Sequence, residues 1–444
     1  FPMLFTQLKR LLLGNPLPSH SLSHQRLPKW QALSVLSSDA LSSVAYATEE
    51  MLIPLATFSL LAASWSLPVA FGISVLLVIV VLSYRQTITA YPQGGGAYIV
   101  AKENLGTTAS LVAGSALLID YILTVAVSVA AGVAAITSAF PVLREHKAAL
   151  GVVVVLFVMV ANLRGIKESA TFFALPTYVF IGSAFFMILS GLYQVATGAV
   201  PNPPDLLHEA YPAIPVFLLL RAFSSGCAAL TGIEALSDGV PLFEEPVSKN
   251  AKKTLMAMGT ILVSMFLGIT ILGHYFQILP SHSETVMSAI ARRIYGESWL
   301  YYLNQAATAL ILLLAANTSY ADFPRLASFL AKDRFLPRQF AGLGDKLVFS
   351  NGIVGLSLAA MALLILFNGE THALVPLYAV GVFLSFTISQ SGMVIHHLKE
   401  KPKGYRSMIF FNAMGAVTTL LVLLVISVTK FMDGAWVVIL LIPA

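Results

Sequence analysis

Apolar runs alternate with short polar stretches along almost the whole chain. They cover 33–61, 68–90, 109–137, 149–164, 171–197, 214–240, 252–279, 299–331, 349–368, 374–397 and 407–429, and another begins near residue 433. Most approach the ~20 residues that an apolar helix needs to cross a bilayer. Hydrocarbon cannot satisfy open backbone groups, so every span is expected to be helical. The pattern predicts an all-α polytopic membrane protein with eleven spans and the start of a twelfth. The last run, "GAWVVILLIPA", holds about half a span, so the twelfth helix is expected to be incomplete and the protein to continue past Ala444.

Composition agrees with this reading. The 444 residues are 57% hydrophobic and only 11% charged, against roughly 25% charged in a soluble domain. Mean hydropathy is +0.82. The early run "LLLG" is too short for a cleavable signal. The net charge of +5 is no sign of nucleic-acid binding, because the basic residues sit in short loops between spans. With the N-terminus placed inside the cell, 20 of the 26 lysines and arginines fall on the inner side. That asymmetry predicts a cytoplasmic N-terminus. Cys227 is the sole cysteine, which excludes an internal disulfide framework and a multi-cysteine metal site.

The organisation that follows is a cytoplasmic segment (1–32), two sets of five spans (33–197 and 214–397), and spans eleven and twelve (407–444). The first span of each set is unusual. "SSDALSSVAYATEE" (37–50) and "SSGCAALTGIEALSD" (224–238) are rich in Ser, Gly, Ala and Thr where a lipid-facing helix would carry Leu and Ile. Each also carries a carboxylate, Asp39 and Glu234. Paired interruptions at matching places in two halves point to a transporter site at the bilayer midplane. For Ser37, Ser38, Ser224 and Ser225 taken singly, close helix packing is an equal alternative.

Asp39, Asp120 and Glu234 lie near span centres, whereas Asp238 and Asp322 lie nearer span ends. No lysine or arginine shares the central depth. Each such carboxylate costs ~2.5 kcal/mol or more to insert. They must therefore be protonated or hold cations, and a cation transporter uses both states. Asp120, Thr124 and Ser128 follow at i, i+4 and i+8, on one helix face of oxygen ligands. Bonding to their own backbone is the plainer account of the two hydroxyls. Tyr46 lies two turns beyond Asp39, and Tyr378 opens the tenth span in "VPLYAVGVF". Both are candidate gates, with an interfacial aromatic belt the open alternative for Tyr378. Glu49 and Glu50 are expected at the outer mouth. In "YPQGGGAYIVAKENLG" (91–106) the glycines lack the GK[ST] of a phosphate loop, so a tight packing turn is expected. No nucleophile–base pair or metal cluster suggests an enzyme.

Five stretches, "LSSDALSSVAYATEE", "SYRQTITAYPQGGGAYIVAKENLG", "DYILTVAVSVAAG", "FSSGCAALTGIEALS" and "PLYAVGVF", together resemble the Kup group of bacterial potassium transporters within the amino acid–polyamine–organocation (APC) superfamily. The resemblance covers essentially the whole chain. It implies a LeuT-like fold of two inverted five-helix repeats plus two further helices, and proton-coupled potassium uptake across the bacterial plasma membrane. It assigns Asp39, Tyr46, Asp120, Thr124, Ser128, Thr231 and Tyr378 to potassium, and Glu234 to proton coupling, a role Asp120 could share. No cofactor is implied beyond the transported ion and proton. The expected partners are the lipid bilayer and a second copy of the chain, through a C-terminal domain that binds inhibitory cyclic di-AMP. Amino-acid permeases of the superfamily have a glycine-rich break where this chain has Asp39, a departure that favours a bare cation. An amino-acid or polyamine permease is the alternative. A passive channel would need a filter such as TVGYG, which the chain lacks.

Overall fold

The computed structural model describes residues 26–59, 61–94, 96–164, 170–198, 214–281, 283–342 and 349–442. Expectations for the segment before residue 26, and for Gly95, Lys167 and Lys346, lie outside these residues. Among the described residues the chain is helical with no strands, as the apolar pattern requires. Span 1 is split into α1 (Lys29–Leu36), α2 (Ser38–Ser42) and α3 (Val44–Phe58). Span 2 is α4 (Ser66–Ala90), followed by a short helix α5 (Ala97–Asn104). Spans 3 to 5 are α6 (Thr107–Ala139), α7 (Lys147–Leu163) and α8 (Ala170–Ala196). Span 6 is split into α9 (Val216–Gly226) and α10 (Ile233–Asp238). Span 7 is α11 (Val247–Tyr275), then a surface helix α12 (Val286–Tyr295) and span 8, α13 (Trp299–Lys332). Spans 9 to 11 are α14 (Ser350–Leu366), α15 (Thr371–Glu400) and α16 (Tyr405–Thr429), with α17 (Trp436–Leu441) beginning a twelfth.

Nine helical stretches, among the described residues, are long and apolar enough to cross a membrane, counting both parts of span 6 together and the turn before α7 with it. Span 1 is not among the nine, and α14 falls short at 17 residues. Burial sorts the spans by position. The apolar window of α6 is 83% buried, whereas that of α7 is 17% buried. The helix that carries Asp120 is therefore central, and α7 faces lipid.

The packing has an internal two-fold order. Span 1 packs on span 6, span 2 on span 7, span 3 on span 8 and span 4 on span 9. Each partner is the counterpart five spans on. Two further contacts, of span 3 with span 10 and of span 8 with span 5, exchange under the same operation. Five crossings is an odd number, so the second set enters the bilayer from the side opposite the first. The fold is therefore LeuT-like, with two inverted five-helix repeats and α16 and α17 appended.

One end of the bundle, here the near end, carries the start of α1 and the glycine turn. The turn is a packing turn. Gly94 sits at φ +90° with its Cα side against the Asp238 carbonyl, and a Cβ on Gly96 would lie 2.5 Å from Asp238 Oδ1. The turn thus rests on the end of span 6 and directs α5 against α6 and α15. Tyr98 of α5 donates to Asp333 Oδ2 at 2.7 Å, and Lys102 donates to the same oxygen at 2.5 Å. These contacts tie α5 to the residue that follows α13.

The hydrogen bond from Lys102, then that from Tyr98, holds the Asp333 carboxyl below the usual carboxylate range. A depressed carboxylate stabilises the fold above its unfolded value near 3.9 and stops doing so as pH falls through the depressed value. The Lys102 and Asp333 side chains are 50% and 33% exposed, so the ion pair is worth at most ~1 kcal/mol. Asp333→Asn is expected to lower the unfolding temperature slightly at neutral pH, with the difference from the parent shrinking as pH falls below the ordinary carboxylate range. Thermal unfolding of both proteins at neutral and acidic pH checks this; a difference that persists in acid would refute the assignment.

Candidate functional site

The site begins where two helices stop. In span 1, Ser37 leaves helical geometry at φ −112°, ψ 1°. The serines around it compete for backbone carbonyls: Ser42 donates to Asp39 at 2.8 Å and Ser43 to Ala40 at 2.7 Å. In span 6, α9 gives way to a tight turn at Cys227–Leu230, then to extended Thr231 and left-handed Gly232 at φ +78°. The two breaks touch. Ser43 also donates to the Ala229 carbonyl at 3.3 Å, and a Cβ on Gly232 would lie 2.6 Å from the Ala40 nitrogen and 2.7 Å from Asp39 Cγ. Only glycine meets both demands, a positive φ and contact with the neighbouring chain.

The predicted carboxylates converge here. Asp39, Asp120 and Glu234 are 6%, 1% and 3% exposed. Asp39 opens α2, Glu234 opens α10, and Asp120 approaches from α6. Asp120 lies within electrostatic range of both others. Asp39 Oδ1, Asp120 Oδ1 and Glu234 Oε2 each lack a hydrogen-bond partner. Among the described residues no lysine, arginine or histidine pairs with any of the three. Buried charged oxygens are ordinarily satisfied, so three orphans in one place mark a site for a cation or a proton.

The hydroxyls complete a ring. Tyr46, Thr231 and Tyr378 are buried, and their hydroxyls lie within reach of one another. Thr231 donates its proton to the Ala228 carbonyl at 2.8 Å, so toward the Tyr46 and Tyr378 hydroxyls it is an acceptor. Thr124 and Ser128 are buried on the Asp120 face of α6 and continue its polar stripe toward the far end.

Two openings approach this ring from opposite ends. At the far end a cavity of about 50 Å³ is lined by Tyr46, Glu49, Ala131, Thr308 and His372. At the near end, cavities of about 110 and 240 Å³ share Asp322 and Arg325. One of these reaches Tyr121 and Asp238, the other Ser38. Along α6 the order is Tyr121 at the near cavity, then Thr124 and Ser128, then Ala131 at the far one. Tyr121, Ser38 and Ala235, next in sequence to Asp120, Asp39 and Glu234, line the near cavities, so the carboxylates lie toward the near end, where the cavities are the larger. Tyr121, Asp322 and Arg325 drew no functional reading from the sequence. Charged residues at a span end look alike whether or not they line a path.

Comparison with known proteins now places the chain. A family profile described as amino acid permease matches residues 27–442. The chain belongs to that family. It is a membrane permease and not an enzyme. It is 49% identical over 442 residues to the potassium transporter KimA of Bacillus subtilis (strain 168), an alignment covering 99% of this chain and 73% of that protein. Among solved structures, a point mutant of the Eremococcus coleocola manganese transporter overlaps 96% of this chain and 94% of its own at 15% identity, with a TM-score of 0.49. The same transporter in complex with an aromatic bis-isothiourea compound overlaps 97% and 93%, also at 15% identity, with a TM-score of 0.48.

The permease's two breaks meet at Gly232, so Gly232→Ala is expected to abolish transport. The left-handed conformation alone costs an alanine ~1–2 kcal/mol, and the methyl would displace Asp39. Thermal unfolding of the purified variant together with uptake in vesicles checks this. An alanine variant as stable and active as the parent would show that the breaks do not touch.

Proposed function

We propose that the protein is a potassium importer that couples uptake to proton entry by alternating access. One observation supports this above others: three buried carboxylates with unpartnered oxygens and no basic partner, ringed by hydroxyls, at the crossing of two broken helices. Potassium takes its ligands from oxygens that replace its water shell. Asp39, Tyr46, Asp120, Thr231 and Tyr378 offer such oxygens in the ring, and Thr124 and Ser128 offer further ones along α6. Glu234, in the first turn of α10, is the candidate proton carrier, with Asp120 a possible sharer of that role. A carboxylate that alternates between binding a cation and binding a proton remains neutral overall in the membrane, which is what the insertion cost demands. The name of the Bacillus subtilis relative supports potassium as cargo, and membership of the Kup group belongs to the same reading.

The substrate carboxylate of an amino acid would meet Asp39, Asp120 and Glu234, which among the described residues pair with no lysine, arginine or histidine, and this disfavours that alternative. A polyamine would not suffer this repulsion and is tested directly. The near end faces the cytoplasm in this reading, in the plasma membrane of a bacterium. Homodimerisation and inhibition by cyclic di-AMP through a C-terminal domain form part of the same proposal.

Protein reconstituted into liposomes with an internal pH dye is expected to acidify the lumen only when external potassium is added. A response to amino acids or polyamines instead would overturn the cargo, and potassium flux without acidification would overturn the coupling. Asp120→Asn and Glu234→Gln are each expected to lower coupled uptake by ~100-fold or more, since each deletes a buried charge worth several kcal/mol to a bound cation or proton. Folding should be retained by both, as judged by monodispersity, and normal uptake by either would remove its role.

A further inference from the structure

Beyond the central ring, one cluster of titratable groups is built with short distances and links three separate elements. His372 is the second residue of α15. Its Nδ1 lies 2.6 Å from Glu50 Oε1, and its Nε2 lies 3.4 Å from Glu49 Oε1. Glu49 and Glu50 sit on α3 and are each 3% exposed. The second oxygen of Glu49 accepts the backbone N–H of Val286, the first residue of α12, at 3.1 Å. One imidazole and one carboxylate pair therefore join span 1, span 10 and the surface helix.

The other charges around the far vestibule are committed elsewhere. Lys147 of α7 pairs with Glu370 at 2.8 Å. Arg292 of α12 pairs with Glu284 at 3.1 Å and Glu297 at 2.6 Å. Arg144 donates to the Ser283 carbonyl. Among the described residues His372 is thus the basic group that bonds to Glu49 and Glu50. Two adjacent carboxylates this deeply buried would repel each other strongly without it. The same end of the surface helix is also held to α6, since Thr285 N–H donates to Ser138 Oγ at 3.1 Å.

The position of the cluster gives it a use. Glu49 is three residues from Tyr46 on α3, and His372 is six from Tyr378 on α15. Both tyrosines belong to the proposed cargo ring. We propose that His372, clamped between Glu49 and Glu50, is the latch that holds the far vestibule shut, and that its release is the step that exposes the ring to that side. His372 is a positioning residue here: it acts through the helices that carry Tyr46 and Tyr378 and touches no cargo. The closed state follows from the same contacts, because parting α3 from α15 must break both carboxylate bonds to His372. The proposal rests on alternating access, and its test needs neither potassium nor a proton gradient.

Ala131 lines the far vestibule and is 5% exposed. Cys227 is fully buried, so the parent chain supplies the blank for thiol labelling. Full-length purified protein carrying Ala131→Cys is treated with a polar maleimide in cargo-free buffer, and the labelling rate is followed by mass. Adding His372→Gln is expected to raise that rate by about tenfold or more, the loss of charge-assisted bonds being of that order. Adding His372→Arg, whose planar fork can again meet both carboxylates, should return the rate toward that of Ala131→Cys alone. An unchanged rate with His372→Gln would overturn the latch. Equally fast labelling with Gln and Arg would also overturn it, because packing rather than charge would then hold the vestibule shut. Loss of potassium-driven acidification elsewhere would leave this readout untouched.

Discussion

The whole architecture answers one constraint: hydrocarbon accepts neither a bare backbone group nor a bare charge. An unbroken span satisfies the first demand by itself. A broken span cannot, and so must be wrapped by others. Spans 1 and 6 carry both breaks and two of the acids, and they lie against each other within the bundle, bounded by α4, α11, α13 and α16. The lipid-facing work is left to spans such as α7, which carry no acid and no interruption. The polar interior is a consequence of placing the breaks together, because each break supplies neighbours for the other.

This pairing also explains the chemistry. Serine, threonine and glycine at the breaks let the chain leave helical geometry without a large side chain in the way. The same residues leave oxygens facing inward. Carboxylates at two of those places and a third on the most buried span make a region where positive charge is stabilised. Hydroxyls that have already donated their protons, as Thr231 has to Ala228, add acceptors without adding charge. A guest bound there would exchange one shell of oxygens for another.

Much of this was legible in the residues, for local reasons. Span boundaries follow the apolar pattern to within a few residues: 109–137 became Thr107–Ala139, and 299–331 became Trp299–Lys332. The breaks in spans 1 and 6 showed as small polar residues where bulky apolar ones belong. Asp39, Asp120 and Glu234 stood out because nothing basic shares their depth. What stayed hidden depends on distance along the chain. His372 meets Glu50 across 322 positions, and neither periodicity nor composition carries that pairing. Gly96 reads as one glycine of a run, and only folding shows that Asp238 occupies the space its missing Cβ would take. Tyr121 looked like an ordinary aromatic on α6 until its hydroxyl was found 3.3 Å from Asp238.

The pairing of each early span with its counterpart five positions later has a geometric corollary. An interface that maps onto itself when the halves trade places offers the same surfaces to either partner. If the first half adopted the shape now held by the second, and the reverse, the contacts across the seam would be regenerated in mirrored order while the wide mouth moved from one end of the bundle to the other. The unequal cavities seen here, small at the far end and larger at the near end, would then be a single asymmetry that can be written in two directions. On the proposed function, a chain that duplicates its own plan would thereby obtain a second shape from one set of side chains.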